Sequence, residues 1–387
     1  MREARMEMKR LLREARRREK HTVELLGRFV RCESPSHDKA AVDRFGRLVA
    51  KEWQRRGAEL TVLRQTTTGN HVRAEFAPGK GRTAGQILVL GHLDTVYRVG
   101  SLAHMPFRVA RGRAFGPGAF DMKGGLVVAL AAADLLRATG IRPLRRLVFL
   151  WTSDEEIGSA SSRRIIEREA RRSAAVLVLE PALGREGWLK TARKGVGGAE
   201  IVVTGRSAHA GVDPKKGVNA VHELALQIAR LMKMSDPSRG TSIQATVIEG
   251  GTVSNVVPAE ARAKVDIRFA RMADARRIER KLRSLRPISK GAKIKMQIGP
   301  MRPPLERTAK VCALFEHAQS LARKMDFRVE EGSTGGGSDG NFTAALGIPT
   351  LDGLGAVGDG AHSPQEHIII KALPERAALL AGLLATL

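Results

Sequence analysis

Ile87-Leu88-Val89-Leu90-Gly91-His92-Leu93-Asp94 is the stretch on which the reading of this chain turns: four apolar residues without alternation, then a histidine and a carboxylate one residue apart. A short run rich in Leu and β-branched residues, with no polar partner at every second position, predicts a strand buried on both faces, as in a parallel sheet. The same grammar recurs three times. Leu147–Trp151 leads into Asp154-Glu155-Glu156, Val176–Leu179 leads into Glu180, and Ile348–Leu351 precedes His362. Ligands of parallel sheets gather at the carboxyl ends of the strands. These runs therefore predict one rim that carries His92, Asp94, Glu155, Glu156, Glu180 and His362. Two imidazoles among several carboxylates make a donor set for a divalent cation, and the chain reads as a hydrolase.

Outward from these runs, strands alternate with helical segments such as Thr22–Phe29, Ala40–Arg56, Met122–Thr139 and Ser159–Arg171. That alternation predicts an α/β domain, a mostly parallel sheet flanked by helices. The middle of the chain changes rhythm: strand Ala199–Thr204, helix Val218–Met234, strands Ser242–Ile248 and Ala261–Phe269, helix Ala273–Leu285, strand Ala292–Ile298. The order β-α-β-β-α-β is that of a ferredoxin-like unit. It reads as an insertion over residues 194–305 into an α/β domain made of residues 21–193 and 306–387, because the buried-strand pattern resumes only after Leu305. Residues 1–20 form a charged helical extension. Its thin apolar stripe of Met8, Leu11, Leu12 and Ala15 leaves a docked helix and a frayed one both open.

A length of 387 residues also points to two domains rather than one. The net charge of +26, from 66 basic and 40 acidic residues, is spread along the whole chain with no nucleic-acid motif beside it. Solvated helix faces explain it better than a nucleic-acid surface, although the field draws anions. Cys32 and Cys312 are the only cysteines, which fits free thiols in a reducing compartment. The first 20 residues lack the apolar core of an export signal. The longest apolar run, Leu126–Ala133, is too short to cross a bilayer. A cytoplasmic protein with no membrane partner is the expectation.

Each candidate has its own chemistry. A carboxylate one residue from a histidine can orient it while the imidazole binds a metal. Asp121 lies in Gly116-Pro117-Gly118-Ala119-Phe120-Asp121-Met122-Lys123-Gly124-Gly125, at the predicted start of a helix, where the dipole favours an anion. Capping alone does not call for so many glycines. Adjacent Glu155 and Glu156 repel unless a cation or a proton separates them, so one can ligate while the other stays free as a base. Glu180 at the tip of a buried strand must be paired, protonated or metal-bound. Together these residues suit zinc or a similar ion, and number enough for a pair of cations sharing one carboxylate.

Gly91–Val96 with Tyr97, the loop around Asp121, Ser153–Ser159, Glu180-Pro181, Ser207–Gly211, Ser254–Pro258 and Gly335–Gly340 occur in an order that resembles the co-catalytic di-zinc exopeptidases. That family holds glutamate carboxypeptidases, aminoacylases, acetylornithine deacetylases and succinyl-diaminopimelate desuccinylases. The likeness runs from about residue 21 to the C-terminus and is greatest to the bacterial folate-hydrolysing glutamate carboxypeptidases. It implies a phosphorylase/hydrolase-like zinc exopeptidase domain with an inserted ferredoxin-like dimerisation domain. Carried over by position, it implies two Zn2+, with Co2+ or Mn2+ as substitutes, bridged by Asp121. One would add His92 and Glu180, the other Glu156 and His362. Asp94 would orient His92, Glu155 would be the general base, and His209 would reach a partner subunit's site in a homodimer.

An exopeptidase must also grip a free carboxylate, which arginine forks do well. Arg268 and Arg302 are the candidates, assisted by Asn255 and the backbone of Gly336, Gly337 and Ser338. The segment with Trp188, Lys190, Arg193 and Lys194 departs from the glutamate-cleaving members, which leaves the side-chain preference open. The expected activity is release of a C-terminal, glutamate-like amino acid from a small peptide or N-acyl amino acid. An N-acyl-amino-acid deacylase is the alternative, and a basic nucleic-acid- or anion-binding protein with a vestigial metal site is the reading from another class.

Overall fold

The structure, a computed structural model, describes residues 2–78 and 85–387, with side chains from residue 5 onward. The chain divides into two compact units. The larger runs to Ala192 and resumes over Arg307–Thr334 and Ser338–Leu387; the smaller is Arg193–Glu306 with Gly335–Gly337.

In the larger unit a six-stranded sheet has the order Glu59–Leu63, His71–Phe76, Arg146–Thr152, Gln86–His92, Ser173–Val178, Thr350–Leu351. The last four strands run parallel, and the first two are antiparallel additions. The apolar runs read from sequence supply the four parallel strands, although the fourth shrinks to two residues because Pro349 has no N–H to give a neighbour. Register then does the work of assembly: His92 lies beside Thr152 and Leu90 beside Val178. Parallel strands in this register bring the residues that follow them, Glu155, Glu156 and Glu180, out on the edge where His92 ends.

Helices hold the sheet from outside. Asp38 caps the helix Lys39–Arg55 by accepting the Ala41 N–H at 2.9 Å. That helix buries Val42, Phe45, Val49 and Trp53, and the Trp53 ring lies 4.2 Å from Phe149 and 5.8 Å from Trp151 on the sheet, centroid to centroid. The first helix, Arg2–Arg17, is docked. Met8, Leu11, Leu12 and Ala15 are all buried, and the helix packs on Leu373–Thr386. Among the described residues no helix is long and apolar enough to cross a membrane.

A small sheet, Gly358–Asp359, His367–Ile369, Arg113–Phe115 and Arg108–Ala110 in that order, was not evident in the sequence. It pairs His367 with Phe115, so the loop that follows Phe115 and the loop that precedes His367 emerge side by side. The first carries Asp121, the second His362.

The smaller unit is a four-stranded antiparallel sheet in the order Ser242–Gly250, Glu260–Phe269, Gly195–Thr204, Lys293–Ile298. Helices Ala220–Met232 and Met272–Arg283 complete the β-α-β-β-α-β sequence of a ferredoxin-like fold. Strand Glu260–Phe269 alternates strictly, with Ala261, Ala263, Val265, Ile267 and Phe269 inward. That one face meets Leu224 of the first helix and Ile278 and Leu282 of the second. Both helices therefore cover the same side.

Candidate metal centre

Two trios of side chains in the larger unit converge on one carboxylate. His92, Asp121 and Glu180 offer ligand atoms within 4.8 Å of one another, and so do Asp121, Glu156 and His362. Asp121 Oδ1 lies 3.2 Å from His92 Nε2, whereas Oδ2 lies 3.5 Å from His362 Nε2. Glu180 Oε1 is 3.6 Å from His92 Nε2, and Glu156 Oε1 is 3.2 Å from His362 Nε2. Asp121 thus turns one oxygen to each trio. One histidine and two carboxylates on either side, with a carboxylate in common, form the donor set of a pair of divalent cations.

Local backbone geometry explains why these residues can meet. Asp121 sits between Gly118, at φ 71°, and the helix Gly124–Thr139. A Cβ on Gly118 would stand 2.7 Å from Thr95 Cγ2, and one on Gly125 would collide with the Leu179 carbonyl just before Glu180. The glycines thus serve a left-handed turn and a close approach of the Asp121 helix to the Glu180 strand. His362 itself takes a left-handed φ of 60°, in the loop that follows Gly358–Asp359.

Asp94 meets His92 through its backbone as well as its side chain. The His92 Nδ1–H donates to the Asp94 backbone carbonyl at 2.9 Å, while the Asp94 carboxylate stands 3.5 Å off. That bond leaves Nε2 as the atom facing Asp121 and Glu180. The carboxylate accepts instead from the amides of Glu155 at 3.3 Å and Glu156 at 3.2 Å, and from the Ser36 hydroxyl at 2.8 Å. Asp94 orients His92 through its backbone and fixes the Glu155-Glu156 turn through its side chain. His71, fully buried, braces the same turn by accepting the Ser153 N–H at 3.2 Å.

The charges respond to this crowding. Burial disfavours a protonated His92, but Asp121, Asp94 and Glu180 outweigh it and hold its pKa well above the ordinary value. Hydrogen bonds to Asp121 and Glu156 push His362 up to about 10. Burial works against an ionised Asp121, yet His362 and His92 keep its carboxyl well below the usual range. A cluster that pulls protons onto two imidazoles is one that attracts positive charge.

The other expected site residues lie in the smaller unit, except Ser338. His209 is exposed and its Nδ1 accepts the N–H groups of Gly211 at 3.1 Å and Val212 at 3.0 Å, so a neutral ring carries its proton on Nε2. Asn255 is exposed, and its carbonyl accepts the Ala210 N–H. Arg268 forks onto Asp266, with Nε and Nη2 each 2.9 Å from a carboxylate oxygen, and its Nη1 reaches the Gly335 carbonyl at 3.3 Å. Arg302 passes close beneath Gly337, where an added Cβ would meet its Cδ at 2.9 Å. The carbonyls of Gly336 and Gly337 accept from buried Arg193 at 3.2 and 3.0 Å. Ser338, in the larger unit, is buried, with its N–H on Asn341 Oδ1 at 3.0 Å and its hydroxyl on Asp352 at 2.6 Å. Both Ser338 donors are spent inside the fold.

Sequence reasoning missed Ser36, Tyr97 and Glu366 as parts of this centre. Glu366 is fully buried and accepts four donors: the N–H of Gly118 at 3.1 Å, those of Phe120 and Asp121 at 2.8 Å each, and the Tyr97 hydroxyl at 2.5 Å. The available signal was a glutamate four residues after a candidate histidine, in a loop otherwise poor in charge.

The sequence profile of peptidase family M20/M25/M40 matches residues 88–386. The chain belongs to this family. Among curated M20 relatives, carboxypeptidase G2 of Pseudomonas sp. (strain RS-16) is 32% identical over 371 residues, covering 94% of this chain and 89% of its own length. The succinyl-diaminopimelate desuccinylase of Dechloromonas aromatica is 29% identical over 330 residues, or 80% of this chain and 85% of its own. The crystal structure of aminopeptidase PepT from Bacillus cereus superposes with a TM-score of 0.80 at 22% identity, covering 95% of this chain and 98% of that one. The fold is that of M20 peptidases, and the chain is a hydrolase of their metallopeptidase and amidohydrolase class.

Proposed function

We propose that this M20 protein binds two Zn2+ between the trios and hydrolyses the amide that joins a C-terminal amino acid to a peptide or acyl group. The observation that carries the proposal is the shared Asp121, one oxygen toward His92 and Glu180, the other toward Glu156 and His362. A pair of bound divalent cations would polarise the scissile carbonyl and acidify a water between them. Glu155, held half-buried by the Asp94 carboxylate at its own amide, takes the proton of the attacking water and returns it to the departing amine. No acyl-enzyme is required. In a homodimer His209 would reach the site of the partner subunit and offer its Nε2–H to the developing oxyanion, in the tautomer its Nδ1 contacts favour.

Arg268, Arg302, Asn255 and the Gly336–Gly337 backbone are assigned to the substrate carboxylate; Arg268 would have to exchange Asp266 for it. Release of a C-terminal residue follows the relation to carboxypeptidase G2, and hydrolysis of an N-acyl amino acid follows the relation to the desuccinylases. The smaller unit supports a homodimer. Its edge strand Lys293–Ile298 points Lys293 and Lys295 to solvent, whereas the opposite edge, Ser242–Gly250, exposes Val247 by 43% and Ile248 by 60%. Lysines guard an edge against pairing, and an apolar edge invites it. Cys32 and Cys312 are both unpaired, as a cytoplasmic location requires.

A panel of folate-like glutamates, N-acyl amino acids and dipeptides assayed with chelator-stripped and zinc-reloaded enzyme tests the reading. Activity restored by zinc in wild type, and about 10²–10⁴-fold lower in Glu155→Gln at unchanged metal content, is the expected outcome. Full activity in stripped enzyme would end it.

A further inference from the structure

We propose that Glu366 and Tyr97 are positioning residues that set the separation of the two cation trios, an inference that rests on the di-metal reading above. Five segments of the chain offer ligands to the centre, and three of them lie far apart in sequence yet side by side here: the strand end at His92, the loop at Asp121 and the loop at His362. Glu366 and Tyr97 tie all three together. Tyr97 follows the His92 strand, and its hydroxyl donates to Glu366 Oε2 at 2.5 Å while standing 3.1 Å from the Ser363 carbonyl, one residue past His362. Glu366 belongs to the His362 loop, whose turn it closes by giving its N–H to Ser363 at 3.1 Å. Its carboxylate then reaches across to the Asp121 loop, with Oε1 on the amides of Phe120 and Asp121 and Oε2 on the amide of Gly118. Its own carbonyl accepts the Gly116 N–H at 3.2 Å.

The Asp121 backbone is thus fixed by a buried carboxylate whose two oxygens take up three amides and a phenol. No arginine, lysine or imidazole pairs with that carboxylate among the described hydrogen bonds and ion pairs. Only a carboxylate can do this. It offers acceptor lone pairs on both oxygens, whereas a glutamine in the same place would turn an NH2 group either at the Gly118 N–H or at the Phe120 and Asp121 N–H groups. One side of the loop would lose its anchor. Because Asp121 must present Oδ1 to one trio and Oδ2 to the other, a small rotation of its backbone spoils both at once. Partners behind metal ligands commonly change affinity by 10–100-fold when removed.

The test is cobalt(II) titration of chelator-stripped full-length protein, followed by visible absorption and by competition with a chromophoric chelator. Wild type should take up two ions per chain. Glu366→Gln should bind at least one of them 10–100-fold more weakly, with altered absorption bands that a loss of global stability alone would not produce. Tyr97→Phe, which removes one hydroxyl and leaves every backbone bond, should shift the same bands in the same direction, and it decides the matter if Glu366→Gln does not fold. Two ions bound with wild-type affinity and superimposable spectra in the variants would overturn the positioning role and leave the di-metal reading standing. Failure of wild type to bind cobalt at all would remove both.

Discussion

Asp121→Asn separates a shared metal centre from two independent carboxylate–histidine pairs. The asparagine keeps the shape of the side chain but offers one oxygen where two were used, Oδ1 at 3.2 Å from His92 Nε2 and Oδ2 at 3.5 Å from His362 Nε2. Whichever way the amide turns, one trio drops from three donors to two and the cluster loses a negative charge. Removing one partner from a buried charge pair costs about 3–5 kcal/mol. At a factor of ten for each ~1.4 kcal/mol, one ion should bind a few hundred- to a few thousand-fold more weakly while the other stays measurable. Calorimetric zinc titration of stripped protein, in buffers of different ionisation enthalpy, reads affinity and proton release together. His362 carries a proton below about 10 in the metal-free protein, and that proton must leave when Nε2 ligates. Wild-type affinity should therefore rise with pH through the neutral range. Asp121→Asn, which removes the first cause of the raised value, should release fewer protons at neutral pH. Two ions at wild-type affinity with unchanged proton release would refute the bridging role.

Three further outcomes are expected. Leu11→Ala, at a fully buried position of the docked first helix, should cost ~2–5 kcal/mol and lower the urea midpoint of tryptophan fluorescence, because Trp53, Trp151 and Trp188 all lie in the larger unit. Met6→Ala, at a position 71% exposed, should leave it unchanged, and equal midpoints for the two variants would mean the helix is not docked. Glu52→Gln should destabilise by ~1–3 kcal/mol at neutral pH, since the buried carboxylate binds Arg28 at 3.0 Å, Arg55 at 2.7 Å and Arg56 at 3.1 Å. Burial works against the ionised form, but Arg56 and Arg28 hold the pKa below its ordinary value, so the contribution is present above the unfolded pKa and vanishes as pH falls through the folded one. Chemical denaturation at a series of pH values from 7 downward should show the gap narrowing as the medium turns acid; a gap that stays constant across the series would contradict the assignment. His209→Ala should lower kcat by about 10²–10³-fold with metal content intact. An unchanged kcat would remove it from the oxyanion site.

The candidate ligands stood out in the sequence for a physical reason. A strand buried on both faces leaves no polar residue in its interior, so ionisable residues at or just past its end stand out, as His92, Asp154-Glu155-Glu156 and Glu180 do. Asp121 showed through its glycines, because close backbone approach leaves few other options. The strands Glu59–Leu63 and His71–Phe76 escaped notice: they are only partly buried, and their polar residues imitate a connecting segment. Glu366 escaped for a related reason. Its partners are backbone amides and a phenol far along the chain, and an amide is the same in every residue, so no pattern of side chains announces it. Asp94 shows the same limit from the other side. Its spacing from His92 pointed to a carboxylate behind the ring, yet the bond is made by its carbonyl, which any residue there could supply.

The acidic centre and the basic chain around it bear on substrate capture together. A charge of +26 draws anions toward the protein, but Asp94, Asp121, Glu156 and Glu180 gather four carboxylates at the two trios. Protonated His92 and His362 offset two of those charges, and two divalent cations would offset four. A substrate with a free carboxylate therefore meets net repulsion at the stripped centre and almost none at the loaded one. Metal loading should accordingly tighten the binding of an inert anionic substrate analogue, and by a larger factor at low ionic strength, where the Debye length is long and the carboxylates are felt further out. A gain that is the same in dilute buffer and at about 1 M salt would show that the cations act by direct coordination alone.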